Sequence, residues 1–274
     1  MRKLFVIFFL ATQLKDPKPG FNLFSSQQDI QLGQEAAAKV ASEQPVVQND
    51  QITGYLTDLL KRLANTPHGK SEFPFQIHAI ASKDVNAFAL PGGPLFVYMG
   101  LIGEATNEAE LVGVIAHEMS HVKLRHGTHQ ASEADLVELP LALAAKGTGG
   151  GMFGQLEQLG ITLGFNSILL KMSRSAESEA DYNGALTMGE ADYNPVAMAE
   201  FFQKLEAKGG RESRLAEFLS DHPNPGNRVK AVEDEIRQMP PRTYSADTGQ
   251  FAAIKQLVST IEIPPAPRPV SRNQ

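Results

Sequence analysis

The segment His117-Glu118-Met119-Ser120-His121 constrains the fold of this chain more than any other feature of its 274 residues. Side chains at positions i and i+4 of an α-helix project from the same face, so a helix here would place both imidazoles side by side. Two imidazoles in that arrangement can bind one zinc ion, with Glu118 beside them. The alternative interpretation is the solvated polar face of an ordinary helix.

The residues before the motif favour a buried helix. Residues 111–116 are apolar apart from one glycine, Asn107 is suited to cap the helix start, and Gly127 is expected to end the helix. A buried imidazole needs a polar partner, and a metal ion meets that need. Because the chain has no cysteine, the ligands must be nitrogen and oxygen atoms. We expect Glu118 to take a proton from a water molecule that zinc has acidified.

A third protein ligand would complete a catalytic zinc site and leave one coordination position open. The acidic stretch at residues 173–181 offers Glu177 and Asp181, which share a helix face at i and i+4. Glu177 could reach the metal while Asp181 accepts a hydrogen bond from a ligating imidazole. Glu179 lies on another face and is expected to be solvated. On spacing alone, an exposed acidic helix is the commoner case.

The periodicity of apolar residues predicts an α+β fold, a mostly helical domain with a small β-sheet beside the helix of the histidine motif. Short β-prone segments lie at residues 73–81, 86–90 and 95–99. Helical patterns cover residues 27–66 as two helices, 107–127, 175–188, 195–208, 211–219 and 227–239. The glycine run at residues 147–151 interrupts a further helical region and suggests a hairpin.

Charge and composition bear on partners and location. The net charge of −6 comes from 25 basic and 31 acidic residues, dispersed without a basic block that could follow a phosphate backbone, so nucleic acid is not an expected partner. Residues 1–11 combine a basic start with a short apolar run, which predicts a secretory signal, a remnant of one, or an N-terminal arm within residues 1–20. We therefore expect a periplasmic or secreted protein without transmembrane helices.

The segment at residues 86–99 has prolines and glycines at its turn and suits an exposed edge strand next to the motif helix. Its first residues, Asn86, Ala87, Phe88 and Ala89, are candidates for pairing with a substrate main chain. Such pairing does not depend on particular side chains, so it favours extended or unfolded polypeptides as partners. An ordinary hairpin is the alternative.

Two further histidines and one arginine lie in or near the predicted helices. His222 precedes a proline in a turn, where a histidine is ordinarily a surface loop residue. Arg228 could pair with an acidic residue of the metal site, although a surface salt bridge is the favoured interpretation. His126 lies near the expected end of the motif helix and is interpreted as a helix-end or packing histidine rather than a ligand.

Four ordered motifs resemble a known family. HEMSHVKLRHG at residues 117–127, NAFALPGGPLFVYMGLI at 86–102, SRSAESEAD at 173–181 and DHPNPGNRV at 221–229 are similar to motifs of one zinc metallopeptidase family. It contains the CAAX prenyl proteases and the heat-shock membrane protease. The chain most resembles its soluble periplasmic branch, which includes the β-barrel-assembly-enhancing protease.

The resemblance implies a gluzincin-type metalloprotease domain at residues 21–240 and a C-terminal extension with a proline-rich tail at residues 241–274. It implies one zinc ion per chain held by His117, His121 and Glu177, with Glu118 as the base and Asp181 bound to a ligating imidazole. In the resembled branch a histidine at the position of His222 can approach the zinc. The resemblance therefore makes His222 a candidate latch or a candidate transition-state donor, and the sequence does not separate the two.

The implied activity is hydrolysis of unfolded or misassembled proteins in protein quality control, with membrane-proximal proteins among the expected partners. The chain lacks the transmembrane helices of the membrane relatives and a helical-repeat extension after residue 239, so neither prenylated-protein processing nor a chaperone role is expected. A zinc-retaining binding protein that stays closed is the rival hypothesis. A zinc hydrolase that does not cleave peptides is disfavoured.

Overall fold

A computed structural model describes residues 16–134, 172–209, 215–223, 228–237 and 243–263. Its elements are, in chain order, α1 (Ser26–Glu43), α2 (Asp50–Ala64), β1 (Gln76–Ile80), β2 (Ala87–Ala89), β3 (Pro94–Tyr98), α3 (Met99–Glu104), α4 (Glu108–Lys123), α5 (His126–Ala134), α6 (Arg174–Glu190), α7 (Val196–Gly209), α8 (Ala216–Asp221), α9 (Arg228–Ile236) and α10 (Phe251–Thr260). The expected α+β architecture is confirmed. The hairpin predicted at residues 147–151 and the apolar run of residues 4–11 lie outside the described residues.

Local sequence explains why the first two helices begin where they do. The Ser25 hydroxyl accepts a hydrogen bond from the Gln28 N–H, and the Gln28 side chain accepts one from the Ser25 N–H. Asn49 caps α2 through its side-chain oxygen. The buried residues of α2 recur at helical spacing, namely Ile52, Tyr55, Leu56, Leu59, Leu60 and Leu63. Two amphipathic helices were predicted for this part of the chain, and the structure confirms them.

The sheet has the strand order β1-β3-β2, with β3 parallel to β1 and antiparallel to β2. Every residue of the central strand β3 is buried. The turn between β2 and β3 passes through Gly92 and Gly93, whose φ angles of 75° and 130° favour glycine. A Cβ at Gly92 would lie 2.4 Å from the Ile30 Cα, so α1 packs closely on this turn. β2 is one of the two edge strands and packs beside α4.

Helix α4 lies at the centre of the domain and is buried at almost every position. Asn107 caps it as predicted, through a hydrogen bond from the Glu110 N–H. Helices α6 and α7 pack on it at glycines: a Cβ at Gly113 would lie 2.7 Å from the Met198 Cβ, and one at Gly184 would lie 3.3 Å from the His117 backbone nitrogen. The backbones of these helices therefore approach closely around the motif.

The predicted end of this helix at Gly127 was wrong. Helix α4 ends at Lys123, and Arg125 takes a φ of 58° before α5 begins at His126. A left-handed conformation is costly for a residue with a side chain. Here the Arg125 guanidinium donates hydrogen bonds to the Asp29 carboxylate at 2.7 Å and to the Phe24 carbonyl at 2.5 Å, which offsets that cost.

Glu108, in the first turn of α4, is hydrogen-bonded to three parts of the chain that are distant from it in sequence. Its buried carboxylate accepts hydrogen bonds from the Tyr55 hydroxyl at 2.9 Å and the Tyr193 hydroxyl at 2.7 Å. It also accepts bonds from the Thr248 N–H at 2.9 Å and from the Thr248 hydroxyl. Helix α10, which the sequence analysis did not predict, then buries Phe251, Ile254 and Val258 against the core. No helix among the described residues is both long and apolar enough to cross a membrane.

Replacing Thr248 with Val tests whether these contacts hold the C-terminal segment in place. The substitution keeps the shape of the side chain but removes one donor to a buried carboxylate. We expect the free energy of unfolding to fall by about 1.5–3 kcal/mol, as for the loss of a hydrogen bond to a charged group. Urea denaturation measures this. Thr260→Val, at an exposed hydroxyl that donates a hydrogen bond to the Leu257 carbonyl, is the control and should stay within about 0.5 kcal/mol of wild type.

Candidate metal centre

Four buried side chains from three parts of the chain converge at one point. His117 and His121 come from α4, Glu177 comes from the first turn of α6, and His222 is the C-terminal cap of α8. One ligand atom from each lies within 4.8 Å of the others, and all four residues are buried. The structure thus brings the histidine pair together with Glu177 and His222, all named by the sequence analysis.

The distances within this cluster fit a shared metal ion. Glu177 Oε2 lies 3.4 Å from His117 Nε2, and Glu177 Oε1 lies 3.4 Å from His121 Nε2. The two imidazole Nε2 atoms are 2.9 Å apart. Ligands bound to zinc at about 2.0–2.2 Å in a tetrahedron are about 3.3–3.6 Å apart. The two distances from Glu177 match this spacing, whereas the imidazole nitrogens lie closer together than bound ligands would. The nitrogen and carboxylate donor types suit zinc.

Glu118 lies beside the cluster with one oxygen available. The Ala89 N–H donates a hydrogen bond to its carboxylate, whereas the buried Oε1 atom makes no hydrogen bond in the described structure. His222 Nε2 is 3.4 Å from Oε1. A buried oxygen without a partner is costly in a folded protein unless a ligand or water occupies the adjacent space. The site is therefore built to receive a polar group at this atom.

Asp181 holds one of the imidazoles of the motif. Its Oδ1 atom lies 3.0 Å from His117 Nδ1, so His117 can donate its Nδ1 proton there while Nε2 faces the cluster. Such a bond fixes the tautomer and the orientation of a ligating histidine. The structure thus places Asp181 where the sequence analysis expected it.

The prediction that Arg228 forms a surface salt bridge is wrong. Arg228 is only 5% exposed, and its guanidinium donates hydrogen bonds to Asp181 Oδ2 at 2.5 Å and to Glu177 Oε2 at 2.7 Å. It also lies over the Phe202 ring, 4.1 Å from the centroid. Periodicity could not show this, because α6 and α9 meet only in the folded chain. Arg228 compensates the charge of two buried carboxylates.

Burial and neighbouring charges shift the titration of the cluster. Burial disfavours the charged form of Glu177, but His222 and His117 outweigh it and hold the pKa of that carboxyl well below its usual range. Burial lowers the pKa of His121, which favours a neutral imidazole. Burial also raises the pKa of Glu118. The neutral His121 and the ionised Glu177 are forms that bind a metal. Burial lowers the pKa of His117, but Glu177 and Asp181 outweigh burial and raise this pKa to about 9, so His117 must lose a proton when a metal binds.

His126, assigned to helix-end packing from the sequence, contacts the cluster directly. It is 3% exposed, and its Nδ1 atom lies 2.9 Å from His121 Nδ1. Its Nε2 atom lies 3.3 Å from Glu179 Oε2. The Glu179 side chain is half-exposed and contacts His126, whereas the sequence predicted that it would be solvated. The other histidines lie elsewhere: His68 pairs with Glu190, His129 with Glu133, and His78 contacts Phe96.

The predicted substrate strand lies at the sheet edge beside α4, with most of its side chains buried. Asn86, Ala87 and Phe88 are at most 5% exposed, so the residues expected at an exposed edge present main chain more than side chains. The Asn86 Oδ1 atom accepts a hydrogen bond from the Ala87 N–H at 2.8 Å. The Asn86 Nδ2 atom is buried and has no partner in the described structure.

Replacing Arg228 with Met tests its role in the metal-free protein. The variant leaves Glu177 and Asp181 buried without their cation, so we expect the free energy of unfolding to fall by about 3–5 kcal/mol. Lys230→Met on the same helix is the matched control. Lys230 is 61% exposed and pairs with Asp234 at the surface, so its loss should change stability by about 0.5 kcal/mol or less. Equal effects of the two substitutions would contradict the assigned role.

Comparison with known proteins agrees with this geometry. The family model described as peptidase family M48 matches residues 50–236. The chain is 29% identical over 230 residues to the mitochondrial metalloendopeptidase OMA1 of Schizosaccharomyces pombe, covering 83% of this chain and 66% of that protein. It is 29% identical over 233 residues to the beta-barrel assembly-enhancing protease of Escherichia coli, covering 82% and 47%.

It is also 31% identical over 192 residues to the metalloprotease LoiP of Escherichia coli, covering 69% of this chain and 72% of that protein. The chain thus spans about half the length of the assembly-enhancing protease and just under two thirds of the yeast protein. The family match covers more than half of the chain and includes α4, α6 and α8 with its cap residue, which together carry the four residues of the cluster. We conclude that this chain belongs to peptidase family M48.

Proposed function

We propose that this protein is a zinc-dependent endopeptidase that hydrolyses peptide bonds of unfolded or misassembled proteins. The observation that carries the proposal is the buried Glu118 Oε1 atom, which has no hydrogen-bond partner beside the cluster of His117, His121, Glu177 and His222. A base with an unused oxygen next to a metal-ligand set is the arrangement that peptide hydrolysis requires.

In this proposal His117, His121 and Glu177 hold one zinc ion per chain. The ion, when bound, supplies a Lewis acid that polarises the scissile carbonyl and acidifies a water molecule. Glu118 accepts the proton of that water on its free oxygen and then passes it to the departing amine. Asp181 keeps the Nδ1 proton of His117 directed away from the cluster.

Edge strand β2 supports an extended polypeptide as the substrate. The Tyr98 N–H bonds the Asn86 carbonyl and the Leu90 N–H bonds the Pro94 carbonyl. By the alternation of an antiparallel ladder, the backbone groups of Ala87 and Ala89 therefore face away from β3. Their N–H groups already bind Asn86 Oδ1 and Glu118. No N–H group of the described residues donates to their carbonyls, which can therefore accept substrate N–H groups.

The Asn86 Nδ2 atom adds a side-chain donor at the same strand. It is buried without a partner and is suited to bind a substrate carbonyl, because a buried donor gains from any acceptor brought to it. Together, main-chain acceptors at Ala87 and Ala89 and one amide donor recognise backbone rather than a particular side chain. This favours unfolded segments of many sequences.

The cellular role follows as part of the proposal. Relatives named for beta-barrel assembly enhancement and for metalloendopeptidase activity support a quality-control protease that acts on membrane-proximal proteins. The basic and apolar start of the sequence supports a periplasmic or secreted location. Fractionation of cells that produce the full chain tests the location, and recovery in the cytoplasmic fraction alone would contradict it.

Replacing Glu118 with Gln separates catalysis from metal binding. The variant keeps the shape of the side chain but cannot carry a proton, so we expect about one zinc per chain and a loss of at least about 100-fold in turnover. Metal analysis and cleavage of an unfolded casein-type substrate measure the two quantities. Glu133→Gln, at an exposed position on α5, is the control and should cleave like wild type. Cleavage by Glu118→Gln at the wild-type rate would refute the mechanism.

His222 supports a second proposal, that the free enzyme is partly self-inhibited. Its Nδ1 atom lies 3.1 Å from Glu177 Oε1 and 3.3 Å from His117 Nε2, close enough to take the coordination position that water or substrate needs. The rival role is donation of a hydrogen bond to the oxyanion of the transition state. The binding-protein alternative corresponds to a latch that stays closed.

Replacing His222 with Ala distinguishes these roles by the sign of its effect. As a latch, its removal raises the basal cleavage of an unfolded substrate, because opening of the site limits turnover. As a transition-state donor, its removal lowers turnover by about 100-fold. His129→Ala, a half-buried histidine outside the cluster, is the control. A variant with wild-type turnover and zinc content would remove both roles.

A further inference from the structure

Two imidazoles of the cluster are held by different partners. The Nδ1 atom of His117 faces a carboxylate, Asp181, at 3.0 Å. The Nδ1 atom of His121 faces another imidazole instead, His126 Nδ1, at 2.9 Å. The other ring nitrogen of His126, Nε2, lies 3.3 Å from a second carboxylate, at Glu179 Oε2. The function proposed above leaves His126 and Glu179 without a role.

The proton positions in this chain follow from the geometry. His121 points its Nε2 atom at the cluster, 3.4 Å from Glu177 Oε1, and a metal-binding nitrogen carries no proton. The single proton of neutral His121 is therefore on Nδ1. Only one of two facing Nδ1 atoms can carry the proton of their hydrogen bond, so His126 accepts at Nδ1 and carries its own proton on Nε2. That proton points at Glu179.

We infer that His126 and Glu179 are positioning residues that act through His121 to fix its tautomer for zinc binding. Glu179 accepts the Nε2 proton of His126, and His126 in turn accepts the Nδ1 proton of His121. The inference rests on the zinc site of the proposed function. It makes His126 the counterpart, on the second ligand, of Asp181 on the first.

The break between α4 and α5 is what makes this contact possible. Positions five apart on an uninterrupted α-helix are turned about 140° from each other, so their side chains cannot meet. The left-handed φ of 58° at Arg125 turns the chain and brings His126 back against His121. Hydrogen bonds from Arg125 to Asp29 and Phe24 hold that conformation. The N-terminal part of the domain thus supports the position of His126.

The test measures the affinity of the full chain for Zn²⁺ alone, by competition with a chelator of known affinity. We expect His126→Ala to weaken zinc binding by about 10- to 100-fold, as for other hydrogen-bond partners of ligating histidines. Glu179→Ala should weaken it by about 3- to 10-fold, because solvent water can partly replace this half-exposed carboxylate. His126→Phe, which fills the space but accepts no hydrogen bond, should resemble His126→Ala.

A double-mutant cycle separates this relay from a general charge effect. If Glu179 acts through His126, Glu179→Ala changes zinc affinity less than about two-fold in the His126→Ala background. If it acts only as a nearby negative charge, its effect is the same in both backgrounds, and the inference is wrong. Glu133→Ala is the control, because it removes a carboxylate from a second histidine–glutamate pair on α5, His129 with Glu133. It should leave the affinity for zinc unchanged.

The melting temperature of the metal-free variants distinguishes positioning from simple packing. A His126→Ala protein that melts lower but binds zinc like wild type would overturn the inference. Glu179→Ala, at the solvent side of the chain, tests the inference even if His126→Ala does not fold. A wild-type protein that binds zinc but cleaves no peptide would refute the endopeptidase proposal and leave this inference standing.

Discussion

The packing of α6 on α4 around buried charge is the constraint on which the rest of this structure depends. Two imidazoles from α4 face Glu177 and Asp181 from α6, and the exposed fraction of these four residues is at most 4%. Isolated buried carboxylates are strongly destabilising. Arg228 of α9 bonds both carboxylates and compensates the charge that the packing of α6 on α4 buries. Gly184 of α6 allows the close approach to α4.

Helix α4 is fixed at both ends by segments distant in sequence. At its start, Glu108 binds Tyr55, Tyr193 and Thr248, which come from α2, the loop before α7 and the C-terminal segment. At its end, Arg125 binds Asp29 of α1. A helix held in this way cannot slide or rotate without breaking buried hydrogen bonds. The ligand atoms therefore have a fixed geometry before any metal binds, which favours affinity because little ordering is required.

Sequence reasoning predicted the parts of the site that depend on local geometry. The i, i+4 spacing of His117 and His121 and the Asn107 cap are properties of one helix, and both appear as expected. The role of Glu177 needed the resemblance to a known family, because an acidic helix face is common at surfaces. The prediction that α4 continues to Gly127 was wrong. The residues around Arg125 contain no sequence signal for a left-handed conformation, because that conformation depends on a hydrogen bond to the distant Asp29.

The contacts of His126 and Arg228 could not be predicted for the same reason. Glu179 lies 53 residues from His126, and Asp181 lies 47 residues from Arg228. Helix α10 is a different case. Its buried residues Phe251, Ile254 and Val258 have the spacing of an amphipathic helix, so the sequence does contain a local signal for this helix, next to the proline-rich tail. Local patterns therefore predict elements, whereas the contacts that tune the site depend on which elements meet.

The four groups of the cluster differ in how firmly they are held, and this difference indicates which of them can exchange. His117, His121 and Glu177 belong to the two central helices. His222 belongs to α8, a six-residue helix; its backbone N–H bonds the Phe218 carbonyl, and the neighbouring Asp221 carbonyl bonds the Met172 N–H. Short elements open locally at lower cost than long buried helices such as α4 and α6. In the proposed latch role, His222 is therefore the group whose position a substrate would take, while the other three remain in place.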